Sequence, residues 1–284
     1  MRTSARFAST LIRHMPEASL DEVTRVLTAS SAPFEMETTD VNGRRVRRWK
    51  HFPATLDALM KLSLQHADKV YLVYEDERFT FTETFARAAA LAAHLQSIGV
   101  AKGDRVAIAM RNLPEWVIAF WAVACTGAIV VPLNAWWKGG ELAYGLIDSG
   151  ARVLFCDSER AKLIGPQLDE TEVQHAIVAR PSEPLIGPLH AFDDVWQRHR
   201  GASLPQVAIA AQDDATIFYT SGTTGRPKGA LGTHLNICTN VGSGLFGRCR
   251  SAMRKGEALA QIVAQNPEQQ PAILLSVPLF HVTG

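Results

Sequence analysis

The chain has 284 residues, 47% of them hydrophobic and 20% charged, with a formal net charge of +1. That is a globular composition, long enough for a large core in one big domain or two smaller ones. The near-neutral charge gives no electrostatic case for nucleic acid or an acidic partner. The four cysteines form no CxxC pair and no Cys/His ligand spacing, which argues against a disulfide framework or a zinc site and for reduced thiols in a cytosol-like compartment.

The N-terminal stretch "MRTSARFASTLIRHMP" carries Arg2, Arg6 and Arg13 and no acid before Glu17. It reads either as an organellar transit segment or as a basic helix; without a long apolar run it is no secretory signal. In "FEMETTDVNGRRVRRWKHF", Asn42-Gly43 between two extended runs predicts a hairpin. The basic cluster Arg44, Arg45, Arg47, Arg48 and Lys50 falls on its return strand and reads as a solvated face, with a nucleic-acid or lipid role as the rival. Residues 55–67 predict an amphipathic helix capped by Thr55. Residues 70–81 predict a second hairpin turning at Glu75–Arg78.

Strands and helices then alternate. "TETFARAAALAAHLQSIGV" is an Ala-rich helix closed by Gly99. "DRVAIAM", "AIVVPL", "RVLFCD" and "HAIVA" (175–179) are short buried strands. Helices are expected from near Pro114 and over 139–148. The uncharged stretch 116–137 has the length of a membrane span. Gly127 and Pro132 interrupt it, so it reads better as a buried helix, a tight turn and a core strand. The fold class is therefore α/β, with mostly parallel sheets flanked by helices. Residues 181–212 look like a connecting stretch. "ATIFYT" (215–220) is a strand feeding a polar loop, and a helix is expected to start at His234 behind Thr233. Residues 242–271 read as a loosely packed helix bounded by loops, and "AILLSVPLF" (272–280) as a last apolar strand.

The polar loop carries the chemistry. Thr220, Ser221, Thr223 and Thr224 offer hydroxyls, Gly222, Gly225 and Gly229 let the backbone approach a ligand closely, and Lys228 adds a mobile positive charge behind Pro227. Successive backbone N–H groups in such a loop can converge on an anion. Two readings stand on these residues: an ordinary Ser/Thr/Gly/Pro loop, or a cradle for a polyphosphate. It is not a Walker loop, because the fifth residue after Gly222 is Pro227 and not Gly. No G-x-G-x-x-G follows the earlier strands.

"YTSGTTGRPKG" resembles, without a mismatch, the phosphate-loop signature of the adenylate-forming superfamily: acyl-CoA synthetases, peptide-synthetase adenylation domains and luciferases. "PLFHVTG" (278–284) resembles the family's later segment, whose histidine borders the acyl and pantetheine site. "FTFTETFARAAALAAHLQSIGVAKGDRVAI", "LPEWVIAFWAVACTGAIVVPLNAWW" and "ELAYGLIDSGARVLFCD" read like fatty-acyl-CoA synthetase sequence. The resemblance implies an N-terminal extension with a hairpin over residues 1–50 and a partial AMP-binding domain over 51–284, the incomplete large N-terminal domain of an adenylate-forming enzyme. It implies ATP with Mg²⁺, CoA as co-substrate, and a carboxylic acid as substrate. On the matching positions Thr220, Ser221, Gly222, Thr223, Thr224, Gly225 and Lys228 would hold the β- and γ-phosphates. His281 would be the catalytic-site residue lining the carboxylate and acyl site; a satisfied histidine at a strand end is the default for a lone His, and the preceding "PLF" favours the functional reading. Tyr219 reads as a packing residue. No residue is assigned to a protein-bound metal.

Family members continue into an adenine-contacting loop, a ribose-binding acid and a small domain with the adenylation lysine. None of these can be assigned here, and Lys228 is not that lysine. The expectation is that this chain alone does not complete acyl-CoA formation, and that a sheet left open at 272–280 is marginally stable. Fatty-acid activation leads. An aryl-CoA ligase, a carrier-protein-directed adenylation domain, and a non-catalytic nucleotide- or partner-binding protein remain as alternatives. Peripheral membrane contact and the oligomeric state stay open. The compartment is expected to be cytoplasmic, with an organelle as the alternative.

Overall fold

The computed structural model describes residues 18–41, 43–220, 225–257, 270 and 272–281. The basic N-terminal stretch lies outside them, as do Asn42 and the loop residues 221–224. The chain divides into two compact units. One comprises residues 1–54 with 235–274, the other 55–234 with 275–284.

In the first unit, α1 (Leu20–Leu27) begins at a capping box. The Ser19 hydroxyl accepts from the Glu22 N–H, and the Glu22 carboxylate accepts from the Ser19 N–H. The hairpin follows as β1 (Met36–Val41) and β2 (Arg44–Trp49), paired antiparallel. Arg48 is ion-paired with Glu37 and Lys50 with Glu35; Arg44, Arg45 and Arg47 are exposed. Val23, Leu27 and Phe34 form this unit's core with Cys249 and Met253.

The second unit opens with α2 (Leu56–Ser63), a 3₁₀ turn over Leu64–His66, and a hairpin of β3 (Val70–Tyr74) and β4 (Glu77–Thr80). The helix is shorter than the 55–67 predicted, and the Thr55 side chain makes no cap bond. The first amide of α2 finds another acceptor: Leu56 N–H donates to Nδ1 of the buried His234, 3.1 Å away. A distant imidazole satisfies this orphan donor, the first amide of the helix, which lies outside the reach of a cap hydroxyl that would bond the second or third.

Next come α3 (Phe81–Ser97), β5 (Arg105–Ala109), α4 (Pro114–Cys125), β6 (Ile129–Pro132), α5 (Gly139–Ser149), β7 (Val153–Asp157), α6 (Ser158–Ile164), β8 (His175–Ala179), β9 (Leu189–Ala191), α7 (Phe192–Arg198), β10 (Asp214–Thr220) and β11 (Lys228–Thr233), while α8 (His234–Arg254) belongs from Leu235 onward to the first unit. Helix α3 starts at a second capping box, Thr80 with Glu83. It ends in a Schellman arrangement, Val100 N–H reaching Leu95 O at 2.9 Å. Pro114 starts α4 where its missing N–H costs nothing.

β5 to β11 form one seven-stranded sheet in the order β11-β10-β6-β5-β7-β8-β9, parallel except for the β10–β11 pair. The central strands are buried along their whole length because both faces are covered. On one face Ala107, Val131, Leu154, Cys156 and Val178 pack under Leu142 and Leu146 of α5 and Ile164 of α6. On the other, Phe155 meets Phe192 of α7 edge-on, and α3 packs against α4 and α7. The uncharged stretch is the buried helix, turn and strand of α4–β6, and no helix among the described residues is long and apolar enough to cross a membrane.

Three expectations need correction. Residues 181–212 hold β9 and α7, whose short runs carry too little periodicity to stand out from their polar flanks. Helix α8 runs unbroken from His234 to Arg254, so Gly242, Gly244 and Gly247 lie inside it. Residues 272–276 form no strand and are exposed, Ile273 at 88% and Leu274 at 91%. An apolar run becomes a strand only where a neighbouring ladder takes its backbone groups.

His94 on α3 is 5% exposed, beside His199, His190 and His175, with ring centroids 5.3 Å from His199 and 6.5 Å from His190. Burial first, then these rings and Arg198, push its pKa down to about 4. A depressed histidine stays neutral in the fold, so its stability contribution is full above pH 6.5 and is lost as pH falls toward 4. Melting curves across that window are expected to drop about 5 °C further for the wild type than for His94→Leu.

Candidate functional site

The predicted phosphate loop is the connection of an antiparallel hairpin. β10 leaves the sheet at its carboxyl end, and Thr220 faces Lys228 at the start of β11. The seven residues between them hold Ser221, Gly222, Thr223 and Thr224, which lie outside the described residues, and then Gly225. Gly225 has φ +89°, the left-handed region that side chains avoid. The trailing arm is a strand and not plain loop: once the chain turns back at Gly225, it pairs with β10. Thr220 Oγ1 donates to Lys228 O at 3.4 Å.

Gly229 serves differently from the expectation of backbone freedom. It sits in β11 opposite Tyr219, and a Cβ there would meet Ile217 Cγ2 at 2.7 Å. Its constraint is crowding. Lys228 is exposed, and no carboxylate among the described residues lies within ion-pairing distance of it. Its charge is available to an anion.

The hairpin is braced from below by α5. Tyr219 Oη donates to Asp148 Oδ2 at 2.7 Å, and its ring packs edge-on against Trp137. Burial, then the Asp148 carboxylate, raises the Tyr219 pKa well above the usual phenol range. Tyr219 is a packing and bracing residue. Tyr144 Oη donates to Pro227 O at 3.0 Å, and the Arg226 guanidinium lies over the Tyr144 ring. Both arms of the loop thus rest on one helix.

Strand order locates a second part of the site. From β5 the chain passes through α4 to β6 on one side, then through α5 to β7 on the other side of β5. The residues of α5 and α6 lie in the core on one face, and α4 packs with α3. The loops leaving β5 and β6 therefore diverge to opposite faces and open a crevice at the carboxyl ends of these neighbours. Open α/β sheets bind ligands at such a point. The described residues place Arg111 and Asn112 at the end of β5 and Trp136 beyond the end of β6.

The segment 277–281 sits on this crevice. Asn112 Nδ2 donates to Val277 O at 2.9 Å, and Asn112 Oδ1 accepts from Leu279 N–H at 2.8 Å. His281 N–H donates to Pro278 O at 3.0 Å and closes a turn. Within it Phe280 is 5% exposed and meets Trp136 edge-on at 5.0 Å, while His281 faces out. Trp136 is exposed and carries the Arg111 guanidinium 5.6 Å from its ring centre.

Thr220, Gly225 and Lys228 are therefore brought together by one hairpin. His281 belongs to a separate segment on the same carboxyl edge, β10 and β5 being separated only by β6, about 10 Å in strand spacing. Sequence reading missed Asn112, Arg111, Trp136, Tyr144 and Asp148. Each acts through a neighbour remote in the chain, and the crevice becomes visible only when strand order is known. Among the described residues no three or more His, Cys, Asp or Glu side chains converge as a metal cage.

A family model described as AMP-binding enzyme matches residues 61–284. A long-chain-fatty-acid–CoA ligase of Escherichia coli is 31% identical over 214 residues, covering 67% of this chain and 38% of its own length. The fold is similar to the crystal structure of a long-chain-fatty-acid–CoA ligase from Archaeoglobus fulgidus, with TM-score 0.61 and 25% identity over 69% of this chain and 40% of that one. It is also similar to the anthranilate CoA ligase AuaEII in complex with anthranoyl-AMP, with TM-score 0.57 and 29% identity over 65% of this chain and 35% of that one. The chain spans less than half the length of each of these relatives.

Proposed function

The chain belongs to the family of AMP-binding enzymes, and on that premise we propose that it takes part in ATP-dependent activation of a carboxylic acid, a fatty acid, through an acyl-adenylate to an acyl-CoA. The observation that carries this reading is the β10–β11 hairpin. It presents Thr220, a left-handed Gly225 and an exposed Lys228 at the carboxyl edge of a parallel sheet, within the stretch "YTSGTTGRPKG". In this reading Thr220, Ser221, Gly222, Thr223, Thr224, Gly225 and Lys228 hold the β- and γ-phosphates, and His281 lines the acid site. Residues 1–50 are an extension ahead of an adenylation region over 51–284.

The carboxylate oxygen bonds to the α-phosphorus of ATP as the α–β P–O bond breaks, and pyrophosphate leaves. The CoA thiolate then bonds to the acyl carbon, and AMP leaves with the C–O bonding pair. Donors and positive charge around the departing pyrophosphate stabilise the charge that builds there. Mg²⁺ enters as the counter-ion of ATP, held mainly by phosphate oxygens. An aryl acid is the second reading, favoured by the similarity to the anthranilate ligase. We place the protein in the cytoplasm; its four cysteines are free thiols and buried.

Calorimetric titration with Mg-ATP, Mg-ADP and AMP tests the reading. A loop that grips the β- and γ-phosphates ranks ATP above ADP above AMP, and tripolyphosphate binds within about tenfold of ATP, since a loop of this kind recognises charge and backbone donors more than the base. Equal affinity for all three nucleotides, or no ATP binding, would remove the proposal's basis.

A further inference from the structure

Residues 272–276 have no ladder, and among the described residues the only hydrogen bonds that tie Leu275–Phe280 to the rest of their unit are the two to the Asn112 carboxamide. That carboxamide is matched to its place. Its NH₂ faces a carbonyl and its oxygen faces an N–H, so the two partners fix its orientation and no other side chain of that size supplies both. Its backbone is held in turn. The neighbouring Arg111 N–H donates at 3.0 Å to Asp157 Oδ2, and Asp157 is locked by the buried Arg160 guanidinium at 2.8 Å and 3.0 Å.

We propose that Asn112 is a positioning residue. Its side chain clamps the backbone on either side of Pro278, and so sets where the Phe280–His281 turn stands over the crevice. The role of His281 in holding the acid rests on the function proposed above; the clamp itself does not. Asn112 touches no reacting atom. It acts through two backbone bonds, and Phe280 against Trp136 completes the fixation.

Two variants and two readouts decide the matter. Asn112→Ala removes both bonds. Asn112→Asp keeps the acceptor for Leu279 N–H and sets a second acceptor oxygen, which has no proton to donate, against Val277 O. Amide hydrogen exchange at Leu279 is expected to quicken about tenfold or more in Asn112→Ala, the loss of one to two ordinary bonds, and less in Asn112→Asp, while amides of β7 keep their protection. The second readout is the His281 ring resonance during titration with octanoate in the presence of Mg-ATP. The half-saturating octanoate concentration is expected to rise about tenfold in Asn112→Ala and less in Asn112→Asp, with the ATP concentration dependence of Gly225 within twofold of wild type.

Unchanged Leu279 exchange in Asn112→Ala would overturn the clamp. Faster exchange with an unchanged octanoate midpoint would overturn the positioning role. If octanoate moves no His281 resonance in the wild type, the acid-binding reading of His281 fails and the positioning role with it, and Leu279 exchange still decides whether the clamp exists.

Discussion

Replacing Arg160 by leucine is expected to cost the fold about 3–5 kcal/mol. Arg160 is 2% exposed, and its guanidinium meets both oxygens of Asp157, whose side chain is 9% exposed. Removing the cation leaves a carboxylate in the interior with only two backbone donors, Arg111 N–H and Arg160 N–H. A single buried charge without a partner is far costlier than the pair. Asp157→Asn combined with Arg160→Leu removes both charges and is expected to recover most of the loss. Urea unfolding of the single and double variants supplies the cycle. A single-variant cost below about 1 kcal/mol would mean that water reaches the carboxylate and the pair does not support the fold. The effect bears on the site because Asp157 holds the loop that carries Asn112.

The second large effect is on nucleotide affinity. Lys228→Ala is expected to weaken binding of Mg-ATP and of tripolyphosphate by roughly 10- to 100-fold, the worth of a charged hydrogen bond of about 1.5–3 kcal/mol. Lys228→Arg is expected to retain part of the affinity, because the charge survives while the reach and geometry of the donor change. Wild-type affinity should fall as salt rises, and the alanine variant should respond less steeply. Lys228 is exposed, so its loss leaves the melting temperature unmoved, which separates a binding defect from unfolding. Calorimetry at two ionic strengths reads both quantities. Equal affinity of the wild type and Lys228→Ala would dissociate the loop from phosphate binding.

Much of the sheet was legible in advance. "RVAIA", "IVVP", "VLFCD" and "HAIVA" are short, apolar and β-branched because both of their faces are covered. Helix α3 was legible from its alanines and from Gly99 just past its end. The errors share a cause. At Thr55 local chemistry named a side-chain cap that does not form, and the first amide of α2 is instead taken by His234, 178 residues away in sequence. At 272–280 hydrophobicity named a strand, and no ladder stands beside it. At Lys228–Thr233 a glycine-containing arm that reads as loop became a strand, because β10 offered it a free edge.

By itself the amino-acid sequence determined the alternation of strand and helix, and the composition of the loop between Thr220 and Lys228, because periodicity, glycine placement and charge are local properties. The tertiary structure alone decided that β7 lies across β5 from β6, that a crevice opens between the diverging loops, and that Asn112 and Trp136 seat the turn bearing His281 there. The contacts of Asn112 and Trp136 join residues more than 100 positions apart, and no local preference encodes which distant backbone group will arrive to take a hydrogen bond.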